Sequence, residues 1–169
     1  MKKMSRDCDK YDAELLIKIY PWLERRCKEI DNSIFKLGVS YSNNLYNSFN
    51  LYDEILNEME EKLKIINLKL IIDETLRKLK IKFYKTAMFL IHYSELTNYE
   101  LMVVLDTSER NVFRRRETLF LTMASILNDS EYKKKVVSFI DEHGWTRSVL
   151  QHIKERGEGY DRKTTKEIK

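Results

Sequence analysis

TNYELMVVLDTSERNVFRRRETLF, residues 97–120, sets three consecutive arginines inside an apolar repeat of helical spacing. Thr97 followed by Glu100 has the form of a capping box, in which each side chain serves the other residue's backbone N–H, and it opens a short helix to Leu105. Asp106, Thr107 and Ser108 carry turn chemistry, and Ser108 is placed to cap a second helix reaching about Leu127. To fix a crossing angle, Leu101, Val104 and Leu105 of the first helix must meet Val112 and Leu119 of the second. Arg110, Asn111, Arg114 and Arg115 then fall on the solvent side.

Outward from this segment the helical period continues. Residues 11–37 repeat Leu15, Leu16, Ile19, Leu23, Cys27, Ile30 and Ile34 three or four apart, with a kink or restart expected at Pro21 and an end at Gly38. Residues 40–50, rich in Asn and Ser, read as a loop. A second helix spans about 50–79, with Leu51, Ile55, Met59, Leu63, Ile66, Leu70 and Leu76 at helical spacing; long helices of this kind pair, so a homodimer is an option. A third covers 82–93, with Phe83, Ala87, Leu90 and Ile91 inward. Helices at 131–142 and 146–156 flank a stop at Gly144, and the tail from Gly157 lacks apolar period and reads as loose. One proline and four glycines in 169 residues leave too little punctuation for strands and turns. The expected fold is all-α, a helical bundle containing a helix-turn-helix with N- and C-terminal helical extensions. Its regions are residues 1–61, 62–128 and 129–169.

The net charge of +4 is unevenly placed. Residues 1–61 carry nine basic and twelve acidic groups, whereas 62–90 carry eight basic against two acidic, a net of +6 beside the arginine helix. A local basic patch of this kind suits a polyanion. Cys8 and Cys27 form no paired motif and read as free thiols of a reducing compartment. The amino-terminal sequence meets acidic residues at once and does not read as a signal peptide, and the densest apolar stretch, 63–72, is broken by Lys64, Asn67 and Lys69. The expected location is cytoplasmic, with no membrane partner.

A short helix, a three-residue turn and a second helix make the helix-turn-helix arrangement. Arg pairs bidentately with guanine and Asn with adenine in the major groove, while a helix N-terminus favours phosphate. A structural exposed helix would more often mix Glu with Lys. The expected partner is therefore double-stranded DNA, contacted by Ser108, Arg110, Asn111, Phe113, Arg114, Arg115, Arg116 and Thr118. Lys78, Lys80, Lys82 and Lys85 are expected to hold the phosphates. Within the set, Asn111 and Arg114 are assigned to bases, Arg116 and Lys85 to phosphate or packing.

Residues 81–127 also resemble the C-terminal DNA-binding region of sigma-70-type factors. The matching pieces are LIHY at 90–93, ELMVVL at 100–105, DTS at 106–108, and Asn111-Val112 with the arginines after them. SERNVFRRRETLFLTMASIL is similar to the stand-alone phage late-gene transcription regulators of the ArpU and RinA type, and the resemblance extends over about residues 68–127. It implies a transcription regulator, with RNA polymerase as an optional partner. Asp106 stands where that family has a glycine of positive φ, which Asp tolerates. Thr107 and Met102 replace a buried aliphatic and a small alanine, which implies a looser or shifted turn.

Catalytic chemistry is missing from the pattern. His92, in LIHY, reads as a packed core histidine, and His143 and His152 lack partners at ligand spacing, so no metal, no cofactor and no enzyme are expected. Gly144-Trp145 reads as a cap with a packed indole. Tyr41, Tyr46, Phe49 and Tyr52 could stack on single-stranded bases, but with basic residues missing there they are expected to pack the first helix on the second. Two rival readings remain: a sigma-like polymerase-binding factor, and a helical protein-interaction module without DNA binding. Residues 1–61 and 130–156 would supply oligomer or polymerase contacts.

Overall fold

The computed structural model describes residues 5–43, 48–93 and 97–166, with side chains omitted at 41–43, 48, 49 and 157–166. It is all-helical: α1 (Lys10–Asn43), α2 (Ser48–Arg77), α3 (Ile81–His92), α4 (Asn98–Val104), α5 (Glu109–Asp129), α6 (Lys133–Glu142) and α7 (Gly144–Lys166). The chain forms two compact units, Met1–Lys18 with Glu74–Lys169, and Ile19–Asp73, so the boundaries fall inside α1 and α2. The sequence divided the chain at 61 and 128 instead. The first helix was expected to be amphipathic, but Asp12, Ala13, Leu15, Leu16 and Ile17 are buried almost all round, and that opening stretch shares the core of residues 74–169.

In the larger unit α5 is central and packs on α3, α4 and α6, while α6 packs on α7. Val112, Leu119, Phe120, Met123, Ala124 and Leu127 form its buried face. The amino-terminal segment is tied across this core. Asn128 accepts from Cys8 N–H through Oδ1 (2.8 Å) and donates to the Cys8 carbonyl through Nδ2 (2.9 Å). Asp9 caps α1: its Oδ1 accepts from the N–H groups of Tyr11 (2.9 Å) and Asp12 (3.0 Å), and Asp12 Oδ2 accepts in return from Asp9 N–H (2.9 Å). The fully buried Asp12 carboxylate also takes two bonds from Arg6, at 2.7 and 3.0 Å. The Asp12 bond holds the Arg6 guanidinium still more firmly protonated, and Asp141 adds a further contact at 3.2 Å. Burial, with Asp12 close by, pushes the Cys8 thiol up to about 11.

The smaller unit is an antiparallel pair. Partners run toward lower numbers on α2 as α1 is followed forward, from Tyr20 with Asp73 and Glu24 with Lys69, through Arg26 with Glu61 and Asp31 with Lys62, to Ser33 with Glu58. Ile19, Leu23 and Ile30 of α1 and Ile65, Leu68 and Ile72 of α2 are buried at helical spacing.

Two expected interruptions are absent: α1 runs through Pro21 without a restart and through Gly38 to Asn43. Residues 40–43 and 48–50 of the expected loop are helical, and residues 44–47 lie outside the described residues. A glycine stops a helix by taking positive φ at the position after it, and neither described glycine does so. Without that turn, glycine in a helix costs only about 1 kcal/mol against alanine. Gly144 opens α7 instead of stopping α6; His143 ends α6 with an extended backbone. The tail read as loose is helical to Lys166. Tyr52 is exposed (65 %) instead of packed between α1 and α2, while Tyr46 and the side chains of Tyr41 and Phe49 lie outside the described residues.

Arg6→Ala should leave the buried Asp12 carboxylate with only its backbone donor. A fully buried pair broken on one side costs roughly 3–5 kcal/mol. Because the Arg6 side chain is 37 % exposed, the expected loss is smaller, about 2 kcal/mol, read as a lower urea midpoint at unchanged slope.

Candidate functional site

The site grows from two caps and a turn. Thr97 Oγ1 accepts from Glu100 N–H (3.3 Å), and Glu100 Oε2 accepts from Thr97 N–H (2.7 Å) and hydroxyl (2.9 Å), so the capping box forms as the sequence indicates. These two donors hold the Glu100 carboxyl below the ordinary carboxylate range. α4 then ends in a left-handed residue, Asp106, with φ 46°. Thr107 N–H reaches Met102 carbonyl (3.1 Å) and Asp106 N–H reaches Val103 carbonyl (3.3 Å), the paired bonds of a Schellman closure. The turn is thus tightly closed with Asp in the position a glycine would take. Ser108 Oγ accepts from Asn111 N–H (3.4 Å) and starts α5 at once. Leu101, Val112 and Leu119 are fully buried, Leu105 is half-buried, and Val104, expected inside, is 46 % exposed at the last turn of its helix.

On α5, successive residues step by roughly 100°. Arg110, Arg114, Thr118 and Leu121 share the outward side, with Asn111 at its edge, and all five are exposed. Among the described residues neither Arg110 nor Arg114 takes a hydrogen bond or ion pair. Asn111 donates from Nδ2 to Thr107 Oγ1 (3.3 Å), which steadies its amide against the turn. Phe113 is partly exposed on one flank.

Arg115 lies on the other flank, half-buried, and shares an open groove of about 640 Å³ with α3 and α4. Lys82, Lys85 and His92 add cationic or titratable groups to its wall, and Met88, Phe89 and Leu105 supply apolar surface. Lys82 Nζ lies 5.0 Å from the Phe83 ring centre. His92 is therefore not a core residue: Leu90 and Ile91 are buried, and the next helical step carries His92 out to solvent. No signal in LIHY distinguishes the two, since the apolar neighbours are the same. Lys78 pairs with Glu74 at 3.3 Å, and Lys80 is exposed ahead of α3; neither lines the groove.

Arg116 turns inward. Its guanidinium donates to Asn98 Oδ1 (2.6 Å) and lies 3.8 Å from Glu14, joining α5 to the start of α4 and to α1. Glu14, with its side chain only 16 % exposed, also meets Lys18 (3.4 Å) and Arg156 (3.6 Å). Burial lowers the Lys18 pKa, opposed by Glu14.

Among the described residues no group of His, Cys, Asp and Glu could hold a metal ion, and no helix is long and apolar enough to cross a membrane. His143 stacks on Phe139 with centroids 4.2 Å apart, places Nδ1 2.8 Å from the Phe139 carbonyl oxygen, and meets the half-buried Trp145 edge-on. No protein-family model, no curated protein and no solved structure matches the chain.

Val112→Asp should place an unpartnered charge in the core beneath the turn, at a cost of roughly 3 kcal/mol or more; an unchanged melting temperature would show that α5 is rotated from this register. The capping box has its own pH signature. Because the folded pKa of Glu100 is depressed, its contribution is present above the ordinary carboxylate pKa and is lost as pH falls through the folded value. The gap in melting temperature between the parent and Glu100→Ala should therefore be open at neutral pH and close in acid.

Proposed function

We propose that this protein is a sequence-specific, double-stranded DNA-binding regulator of transcription, acting in the cytoplasm through a helix-turn-helix formed by α4 and α5. One observation carries the reading: Arg110, Asn111 and Arg114 stand exposed on the first turns of α5, the two arginines without protein partners among the described residues. Helices of this class enter the major groove by their N-terminal turns, where Arg and Asn read base edges. Arg115, Lys82 and Lys85 flank that face as phosphate contacts. Arg116, engaged with Asn98 and Glu14, acts by holding α5 in place and not by touching DNA. The role is one of binding and needs no catalytic group. The resemblance to phage late-gene regulators points to control of late genes.

One observation favours a protein partner as a second reading. Tyr99, Val103 and Val104 of α4 are exposed and uncharged, a surface suited to a polymerase subunit or another protein. Binding to a protein that salt leaves unchanged, with no retention on DNA, would select that reading.

Selection from a random duplex pool supplies the preferred sequence, and titrations on preferred and scrambled duplexes test the roles. Affinity should fall steeply with salt, with a log–log slope of about −0.9 for each phosphate neutralised. Arg114→Ala should cost about 1–3 kcal/mol on the preferred duplex and relax one base position, whereas Lys85→Ala should weaken both duplexes alike and reduce the slope by about 1. No retention at low salt sinks the proposal. Equal weakening of both duplexes by Arg114→Ala removes the base-reading role of that face.

A further inference from the structure

α2 is apolar on two opposite faces. Ile65, Leu68 and Ile72 are buried on one. On the other, Tyr52, Leu56, Met59, Leu63, Ile66 and Leu70 are each more than a third exposed, although all six are large and uncharged. Their spacing alternates four and three residues, so Leu56, Leu63 and Leu70 recur every seven positions and so do Tyr52, Met59 and Ile66. The stripe extends over about 27 Å of helix. A seven-residue repeat of this kind drifts around an isolated straight helix and stays in register only against another helix that supercoils with it.

The edges of the stripe say which helix. Asp53 and Glu60 border one side; Lys62 and Lys69, already tied to Asp31 and Glu24 of α1, border the other. A second copy laid parallel and in register sets Ile55 against Glu60 and Lys62 against Asn67, with no like-charged pair. An antiparallel copy that matches the same apolar layers sets Glu60 against Glu60 and Lys62 against Lys62, which is repulsive. The stripe is thus self-complementary under a two-fold axis along the helices, as a closed homodimer requires.

We propose that the chain forms a homodimer through a parallel, in-register coiled-coil pairing of the outer face of α2 over Tyr52 to Leu70. The proposal stands on this surface alone and survives or fails independently of DNA binding.

Sedimentation velocity of the full chain over a hundredfold concentration range should show a monomer passing to a dimer. Leu63→Asp, at an exposed position, should keep the helical circular dichroism and remain monomeric throughout. Leu63→Cys in a Cys27→Ser background should form a disulfide-linked dimer on mild oxidation, because parallel pairing sets residue 63 beside its own copy. Lys64→Cys, one helical step away from the stripe, should not. A parent chain that stays monomeric overturns the proposal and leaves the stripe to a different protein. A dimer that survives Leu63→Asp moves the interface elsewhere. A dimer in which Leu63→Cys fails to cross-link overturns the parallel register, and this readout holds even if Leu63→Asp disturbs folding.

Discussion

A carboxylate shielded from water needs cations, and Glu14 has three. Lys18, Arg116 and Arg156 converge on it from α1, α5 and α7. Breaking one side of such a group strands charge, so the arrangement favours a single rotation of α5 about its axis. Once Arg116 is fixed inward, helical geometry leaves its neighbours no choice. Arg115 goes to the groove beside α3, and Arg114 goes out to solvent. Three chemically identical side chains in a row thus receive three different environments from one electrostatic anchor, reinforced by Val112 and Leu119 in the core.

Local chemistry was the legible part. Thr97 with Glu100, Ser108 before α5, and Asp106 in a left-handed turn each act within four residues, and all three form as their residue types indicate. The exposure of Arg110, Asn111 and Arg114 followed from placing Val112 inside. What was not legible depends on distant partners. The burial of Asp12, Ala13, Leu15, Leu16 and Ile17 comes from packing in one unit with residues 74–169, far away in sequence; Asn128 on Cys8 and Arg6 between Asp12 and Asp141 are bridges that periodicity cannot encode. His92 and Val104 sit in apolar strings, yet they occupy the final turns of α3 and α4, where no following turn covers them. Glycines 38 and 144 misled for the opposite reason: the residue type permits a stop without compelling one.

α2 shows how periodicity can be misread in a further way. Its apolar residues read as one series from Leu51 to Leu76, but Met59, Leu63, Ile66 and Leu70 of that series are exposed, while Ile65, Leu68 and Ile72, outside it, make the buried side. Two interleaved stripes on one helix average to nearly uniform apolarity around the axis, so sequence alone does not separate the face that folds the chain from the face that is left over.

The division of labour along α5 bears on how such a protein can change over generations. Its inner side, with Val112, Leu119, Met123 and the anchored Arg116, is committed to holding the fold. The outer positions 110 and 114 are exposed and take no hydrogen bond or ion pair among the described residues, so exchanging them leaves the core and its ion pairs intact. Mutational drift on that side is nearly neutral for folding. A lineage carrying this scaffold can therefore retune what its surface prefers while inheriting the same frame.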